Sequence, residues 1–212
     1  MKKTLLLIML SSILSLQNSE AQSSNDIKSV GNIELVRKAK SIFYYGGDFS
    51  HLRITDGPKI SRSYEYSQVY PMAWITYLEK ELEINGYLLR ALKKESVVYK
   101  QEEIYDISIR VSPDFIIGKT YSFPIDTINN ALKKYPLSQK SGVGLVLIPE
   151  NFIKTQEIAK TWIVFFNIEN REILWATKVR GNCEHMGYTA HWGSGIIDGF
   201  KEFISTQYKI DN

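Results

Sequence analysis

Two apolar runs, Val143-Gly144-Leu145-Val146-Leu147-Ile148 and Thr161-Trp162-Ile163-Val164-Phe165-Phe166-Asn167-Ile168, decide how this chain folds. Each has the length of a strand and neither carries a charge, so both faces of each must be buried, which makes them central strands of a sheet. After the second run, Glu169-Asn170-Arg171 supplies a turn. Glu172–Arg180 then resumes with Ile173, Trp175, Thr177 and Val179 on one face, and the two segments read as a hairpin. Beyond it, Thr189–Thr206 sets Trp192, Ile196, Phe200, Phe203 and Ile204 on one side of a helix, the side that closes over the sheet.

Working upstream, Ser41-Ile42-Phe43-Tyr44-Tyr45 is aromatic and β-branched and stops at Gly46-Gly47, which predicts a short buried strand. Pro71 suits the first turn of a helix over Met72–Ile84, with Trp74, Ile75, Leu78 and Leu82 inward and Glu79, Lys80 and Glu83 opposite. Asn85-Gly86 ends it, and Tyr87–Lys94 reads as a second short helix. Tyr105, Ile107, Ile109 and Val111 alternate with polar residues, the period of a half-exposed strand over 105–112. Ile125–Lys134 is helical and Tyr135-Pro136 stops it. There is no repeat, low-complexity tract or Pro/Ser linker. The expected architecture is therefore one α+β domain over residues 32–208, followed by a tail at 209–212. Its sheet should be mixed and mostly antiparallel, with a C-terminal β-hairpin and helices packed mainly on one face.

The first 21 residues have the layout of an export signal. Lys2 and Lys3 precede the apolar core Leu5–Leu16, and Ser19 and Ala21 fit the small-residue rule for cleavage before Gln22. A core this short falls below the roughly 20 residues a helix needs to span a bilayer, so no transmembrane segment is expected in the mature chain. Residues 22–31 are small and polar and read as a flexible leader. Cys183, the single cysteine, excludes an intramolecular disulfide and is far from the cleavage site. Of 26 Lys+Arg and 23 Asp+Glu, the signal holds Lys2, Lys3 and Glu20, leaving the mature chain at +2. A balance so even argues against nucleic acid or an acidic substrate as partner.

Three groups of residues are chemically worth testing. Cys183, His185 and His191, with Glu184 between them, are the soft donors zinc prefers, although C-x-H-x5-H is not a standard structural spacing. The same Cys183 beside an imidazole would make a thiolate nucleophile, while a buried thiol with two surface imidazoles is the plainer reading. His191, Ser194 and Asp198 share a helix face and match a triad in composition, but Gly193-Ser194-Gly195 is not the G-x-S-x-G elbow, since Trp192 and Ile196 occupy the outer positions. Gly193, Gly195 and Gly199 in one helix imply a close approach, most simply to the sheet; Asp198 breaks the dinucleotide fingerprint.

The second group, Asp48, His51 and Arg53, follows the first strand in a loop of the kind that carries function, or else supplies turn chemistry. The third is the tyrosine-rich stretch containing Tyr64, Tyr66 and Tyr70, with Tyr77 beyond it. Tyrosine combines a large apolar ring with a polar tip and suits a binding surface, or the margin of a core. No cofactor is called for.

The strand-and-turn Phe43-Tyr44-Tyr45-Gly46-Gly47-Asp48-Phe49-Ser50, the pair Gly144–Phe152 and Trp162–Ile168, the hairpin to Val179-Arg180-Gly181 and the final helix with Trp192 together resemble a group of uncharacterised exported bacterial α/β proteins. The resemblance covers most of the mature chain and implies fold and export, not an activity; Cys183, His185 and His191 are outside it. At fold level only, the layout is similar to small periplasmic domains such as the N-terminal domain of the TolB translocation protein. Export, balanced charge and the lack of an assembled catalytic motif point to a binding or interaction protein of the bacterial cell envelope, periplasmic or secreted. Its partner would be an envelope protein or a small ligand. The alternative is a hydrolase or metal-dependent enzyme centred on Cys183–Ser194.

Overall fold

A computed structural model describes residues 29–55, 69–84, 86–112, 114–119 and 121–209. The expected signal at 1–21 and most of the leader lie outside the described residues, as do Tyr64 and Tyr66. The described chain opens with β1 (Ser29–Gly31), α1 (Ile33–Lys38), β2 (Ser41–Gly47) and β3 (Arg53–Thr55). Next come α2 (Tyr70–Leu78), which continues as one stretch of π-helix (Glu79–Ile84), then α3 (Tyr87–Ala91) and β4 (Ser96–Tyr99). A 3-10 turn (Gln101–Glu103), α4 (Tyr105–Ser108), β5 (Ile116–Ile117) and α5 (Ile125–Leu132) lead to the long strands. These are β6 (Val143–Ile153), β7 (Ile158–Asn167) and β8 (Ile173–Asn182), and α6 (Tyr188–Thr206) closes the fold.

The eight strands form one mixed sheet, six of them in the order β1-β8-β7-β6-β2-β4, with β3 pairing β6 and β5 beside that path. The long pairings β6–β7 and β7–β8 are antiparallel, whereas β2 lies parallel to both β6 and β4. A single α+β domain with a mostly antiparallel sheet and a C-terminal hairpin is therefore what forms. Ser29–Gly31, expected as the end of the leader, instead pairs with Trp175–Thr177 as an edge strand.

Strand β6 runs past Ile148 because a bulge between Pro149 and Asn151 absorbs the proline, which has no N–H for the ladder. The extra residue also changes which side each later residue faces. Leu145 and Leu147 point to one layer and Val146 and Ile148 to the other; without the bulge Phe152 would join the second pair, but it packs with the first. Strand β2 breaks at the same level. Its register against β6 shifts between Tyr44 and Gly47, Gly46 sits at φ 85°, and β3 resumes alongside Asn151–Ile153.

Each face of the sheet has its own apolar layer. The larger contains Leu145, Leu147, Ile163 and Phe165 beneath Trp74, Leu78, Leu88 and the α6 residues Trp192, Ile196, Phe200 and Phe203. The smaller sets Val146, Ile148, Val164 and Phe166 against Ile128, Ala131 and Leu132 of α5, so most helices share one face. Helix α6 lies very close to the sheet. A Cβ on Gly181 would come within 1.8 Å of the Gly195 carbonyl oxygen, and one on Gly195 within 2.5 Å of Cys183 Sγ, so the helical glycines serve contact with β8.

The strand expected over 105–112 does not form. Tyr105–Ser108 is a helical turn, and the buried side chains are Ile104, Ser108 and Val111, spaced as on a helix. Ser108 Oγ donates to the Ile104 carbonyl at 2.9 Å, and Tyr105, Ile107 and Ile109 are only half-buried.

Candidate functional site

The break shared by β2 and β6 buries two carboxylates on the smaller layer's side. Asp48 is fully enclosed: one oxygen accepts from Ser50 N at 2.9 Å, a two-residue side-chain turn, and the other from the Tyr135 hydroxyl at 2.6 Å. Burial, then the Asp48 charge and hydrogen bond, push the Tyr135 phenol well up. Glu150, at the bulge, has Oε1 accepting from Phe123 N (3.0 Å), Ser122 Oγ (3.1 Å) and Trp162 Nε1 (3.2 Å). Its Oε2 lies 2.9 Å from Lys178 Nζ, which also donates to Ser122 Oγ and stands 5.0 Å over the Trp162 ring. Both Glu150 oxygens are thus engaged. This is an ion pair that ties the bulge to β8 and to the 121–123 segment.

His51 and Arg53 border this region without meeting Asp48 in a hydrogen bond. The His51 ring is half-buried against Phe123 at 5.8 Å, and the Arg53 guanidinium stands 5.2 Å over Tyr121 while its Nη1 donates to the Leu52 carbonyl. Burial lowers the His51 pKa, and Arg53 and Lys134 push the same way against Asp48. Asp48 supplies turn and core chemistry. Tyr70 opens α2, with its ring stacked on Trp74 and tilted against Tyr188.

Cys183, His185 and His191 are not brought together as a donor set. Cys183 is turned under α6 against Gly195, and burial pushes its thiol up to about 12, opposite to what a nucleophile or a metal ligand needs. His185 is exposed, and His191 Nδ1 lies 3.0 Å from the His185 carbonyl oxygen, a hydrogen bond to backbone. Among the described residues no three His, Cys, Asp or Glu side chains are grouped to hold a metal ion. Ser194 Oγ donates to the His191 carbonyl and accepts from Glu184 N, and Asp198 accepts from Asn182 N, so the triad-like trio is engaged with backbone groups.

An open cleft lies elsewhere, on the α2 side of the sheet. A cleft of about 500 Å³ is lined by Ile75, Thr76, Glu79 and Glu83 on the helical wall and by Tyr99, Gln101, Glu102, Tyr105 and Asp106 on the other. The parallel pairing of β2 with β4 delivers Tyr99 beside Tyr44, and the 3-10 turn and α4 follow directly, which carries Glu102 and Asp106 toward the π-helix. Gln101 Nε2 donates to Glu83 Oε2 at 2.7 Å across the cleft. Tyr99 meets Tyr44 edge to face, with ring centroids 6.1 Å apart. Burial and the Glu83 charge raise the Tyr99 pKa. A π-helical segment bordering a cleft is a recurrent feature of functional sites.

Sequence reasoning passed over these residues because they come from five separate elements. One signal was available: Glu79 and Glu83 stand four apart, as do Glu102 and Asp106, and like charges at that spacing on a helix are mutually unfavourable.

No helix of the described residues is long and apolar enough to cross a membrane. No family model matches the chain, and no curated protein does. Among solved structures, the PelC dodecamer from Paraburkholderia phytofirmans is similar at a TM-score of 0.31 and 9% identity, over 87% of this chain and 98% of that one. A point variant of the same dodecamer gives a TM-score of 0.33 at 9% identity, over 86% and 98%. At these values the likeness carries neither fold nor function across.

Proposed function

We propose that this chain is an exported binding protein of the bacterial cell envelope, and that it takes its ligand in the cleft between the π-helix and the β4–α4 segment. The observation that carries the reading is that cleft: about 500 Å³ is within the range of small-molecule sites, and its walls combine apolar, aromatic and charged groups. The Lys2–Ala21 pattern supports export. The buried, unreactive setting of Cys183 and the backbone engagement of Ser194 favour binding over hydrolysis at the 183–194 segment.

The test is retention from a pool. Wild-type protein and a Thr76→Trp variant are dialysed against a small-molecule extract, and retained compounds are identified by mass spectrometry. Thr76 is exposed on the helical wall, so the indole fills the cleft without entering the core. The reading expects at least one compound held by the wild type and released by the variant. If both proteins retain the same compounds, or none, the cleft is not the binding site.

A further inference from the structure

Strand register places four polar residues side by side on the smaller layer's face of the sheet. Arg53 of β3 stands opposite Asn151 of β6, Asn151 opposite Lys160 of β7, and Lys160 opposite Arg180 of β8. Their chain neighbours Ile54, Phe152, Ala159 and Val179 all pack into the larger layer, so the row itself faces the other way. Lys178, two residues before Arg180, shares that face. These four strands therefore carry four cations, all on one side, and Glu150 is their single carboxylate.

The carboxylates on this side are enclosed and already have partners. Glu150 is paired with Lys178, and Asp48 accepts from Ser50 N and the Tyr135 hydroxyl. The two guanidinium groups of the row meet neutral groups. Arg180 is exposed and its Nη2 donates to Gln156 Oε1 at 3.1 Å; half-buried Arg53 gives Nη1 to the Leu52 carbonyl, with its Cζ 5.2 Å over the Tyr121 ring. Lys160 and Arg180 set like charges directly opposite one another on neighbouring strands, an arrangement that an anion lying across them would relieve.

We infer that this row docks a short, extended acidic segment of a partner protein, a role separate from the cleft and independent of what the cleft holds. The row crosses three gaps between strands, about 14 Å at the usual strand spacing. An extended segment advances about 13 Å over four residues, so acidic side chains at three alternate positions on one of its faces span the same length. Arginine suits the task because its planar fork takes a carboxylate through two parallel hydrogen bonds. The divided surface selects a narrow chain over a flat one: Asn151, fully enclosed in the middle of the row, donates Nδ2 to the Tyr121 carbonyl at 3.4 Å, so the 121–123 segment crosses the row between Arg53 and Lys160. A flexible chain drapes over that segment and reaches the cations on both sides. The near-balance of charge over the whole chain disfavours a long polyanion, while this face concentrates one sign over a short span.

The probe is a fluorescein-labelled peptide of alternating Glu and Ser with three Glu, followed by fluorescence anisotropy against the wild type, Arg180→Gln, Arg53→Gln/Arg180→Gln and Thr76→Trp. Thermal unfolding checks that each variant is folded, and the exposed position of Arg180 leaves the core intact in the single variant. The expected result is saturable binding that weakens several-fold in Arg180→Gln and about tenfold or more in the double variant, falls with added salt, and is unchanged by Thr76→Trp in the cleft. The same peptide with Gln in place of Glu should not bind. Absence of saturable binding to the wild type overturns the inference, as does equal binding by the wild type and folded Arg180→Gln. Phosphatidylglycerol vesicles or an oligothymidylate held more tightly than the acidic peptide would replace the protein partner with a lipid surface or a nucleic acid, and also overturn it.

Discussion

Replacing Gly181 with alanine probes the closest approach in the fold. The new Cβ would stand 1.8 Å from the Gly195 carbonyl oxygen and 2.5 Å from Gly199 N, both backbone atoms of α6 that cannot rotate away. Real Cβ contacts do not fall below 3.0 Å, so the helix must retreat from β8 by at least about 1.2 Å. That retreat lifts Trp192, Ile196, Phe200 and Phe203 out of register with the larger apolar layer. Overpacking of this kind costs about 1–3 kcal/mol, and immovable backbone puts this case at or above about 3 kcal/mol. The stiffening of the unfolded chain by alanine returns less than about 1 kcal/mol. For a chain this long, the midpoint of thermal unfolding should fall by about 6–12 °C. Urea unfolding followed by tryptophan fluorescence measures the free-energy loss and a thermal melt the midpoint, with Gly118→Ala as the control, since nothing lies within 4 Å of a Cβ there. A Gly181→Ala protein within about 1 kcal/mol of wild type would refute the tight helix–sheet contact.

Further outcomes follow from the buried polar groups. Lys178→Met leaves Glu150 enclosed without its cation and should destabilise the fold by about 3–5 kcal/mol, while adding Glu150→Gln should recover much of that loss in a urea double-mutant cycle. Cys183, with its thiol pushed up to about 12, should resist iodoacetamide at pH 8 in the native protein and react at once in denaturant. Because the His51 pKa is lowered on folding, the unfolded chain binds the proton more readily. Its contribution to stability is therefore present above the ordinary value of 6.5 and declines as pH falls below it, through the folded-state pKa. His51→Gln should flatten stability against pH in that window, and an imidazole titration midpoint at or above 6.5 in the native protein would contradict the assignment.

What could be read from the sequence depended on how local the determining interaction is. The runs at 143–148 and 161–168 were legible because burial on both faces leaves continuous apolar residues, and α6 because one face of a long helix must be apolar. The alternation at 105–112 misled because four apolar residues at period two also accommodate a helical turn whose enclosed positions are Ile104, Ser108 and Val111. Glu150 was not legible as a buried charge, since its enclosure depends on the bulge and its cation is on β8. The cleft was hidden for the same reason: Glu79 and Glu83 read only as the solvent face of a helix, and their counterparts Glu102 and Asp106 arrive through the pairing of β2 with β4. Asp48 was found, and the structure gives it the turn role; Cys183, His185 and His191 are near one another in sequence, but the close α6–β8 contact directs the thiol inward and away from the imidazoles.

Amide hydrogen exchange with and without a compound that the wild type retains in the dialysis comparison tests the central claim most directly, because it asks where on the chain a ligand acts without assuming the site. Slowed exchange confined to residues 75–83 and 99–106 is the predicted result, since those segments form the two walls of the cleft. Protection centred instead on Asp48–Arg53 or on Cys183–Ser194, with the cleft segments unchanged, would contradict the account and return the search to those loops.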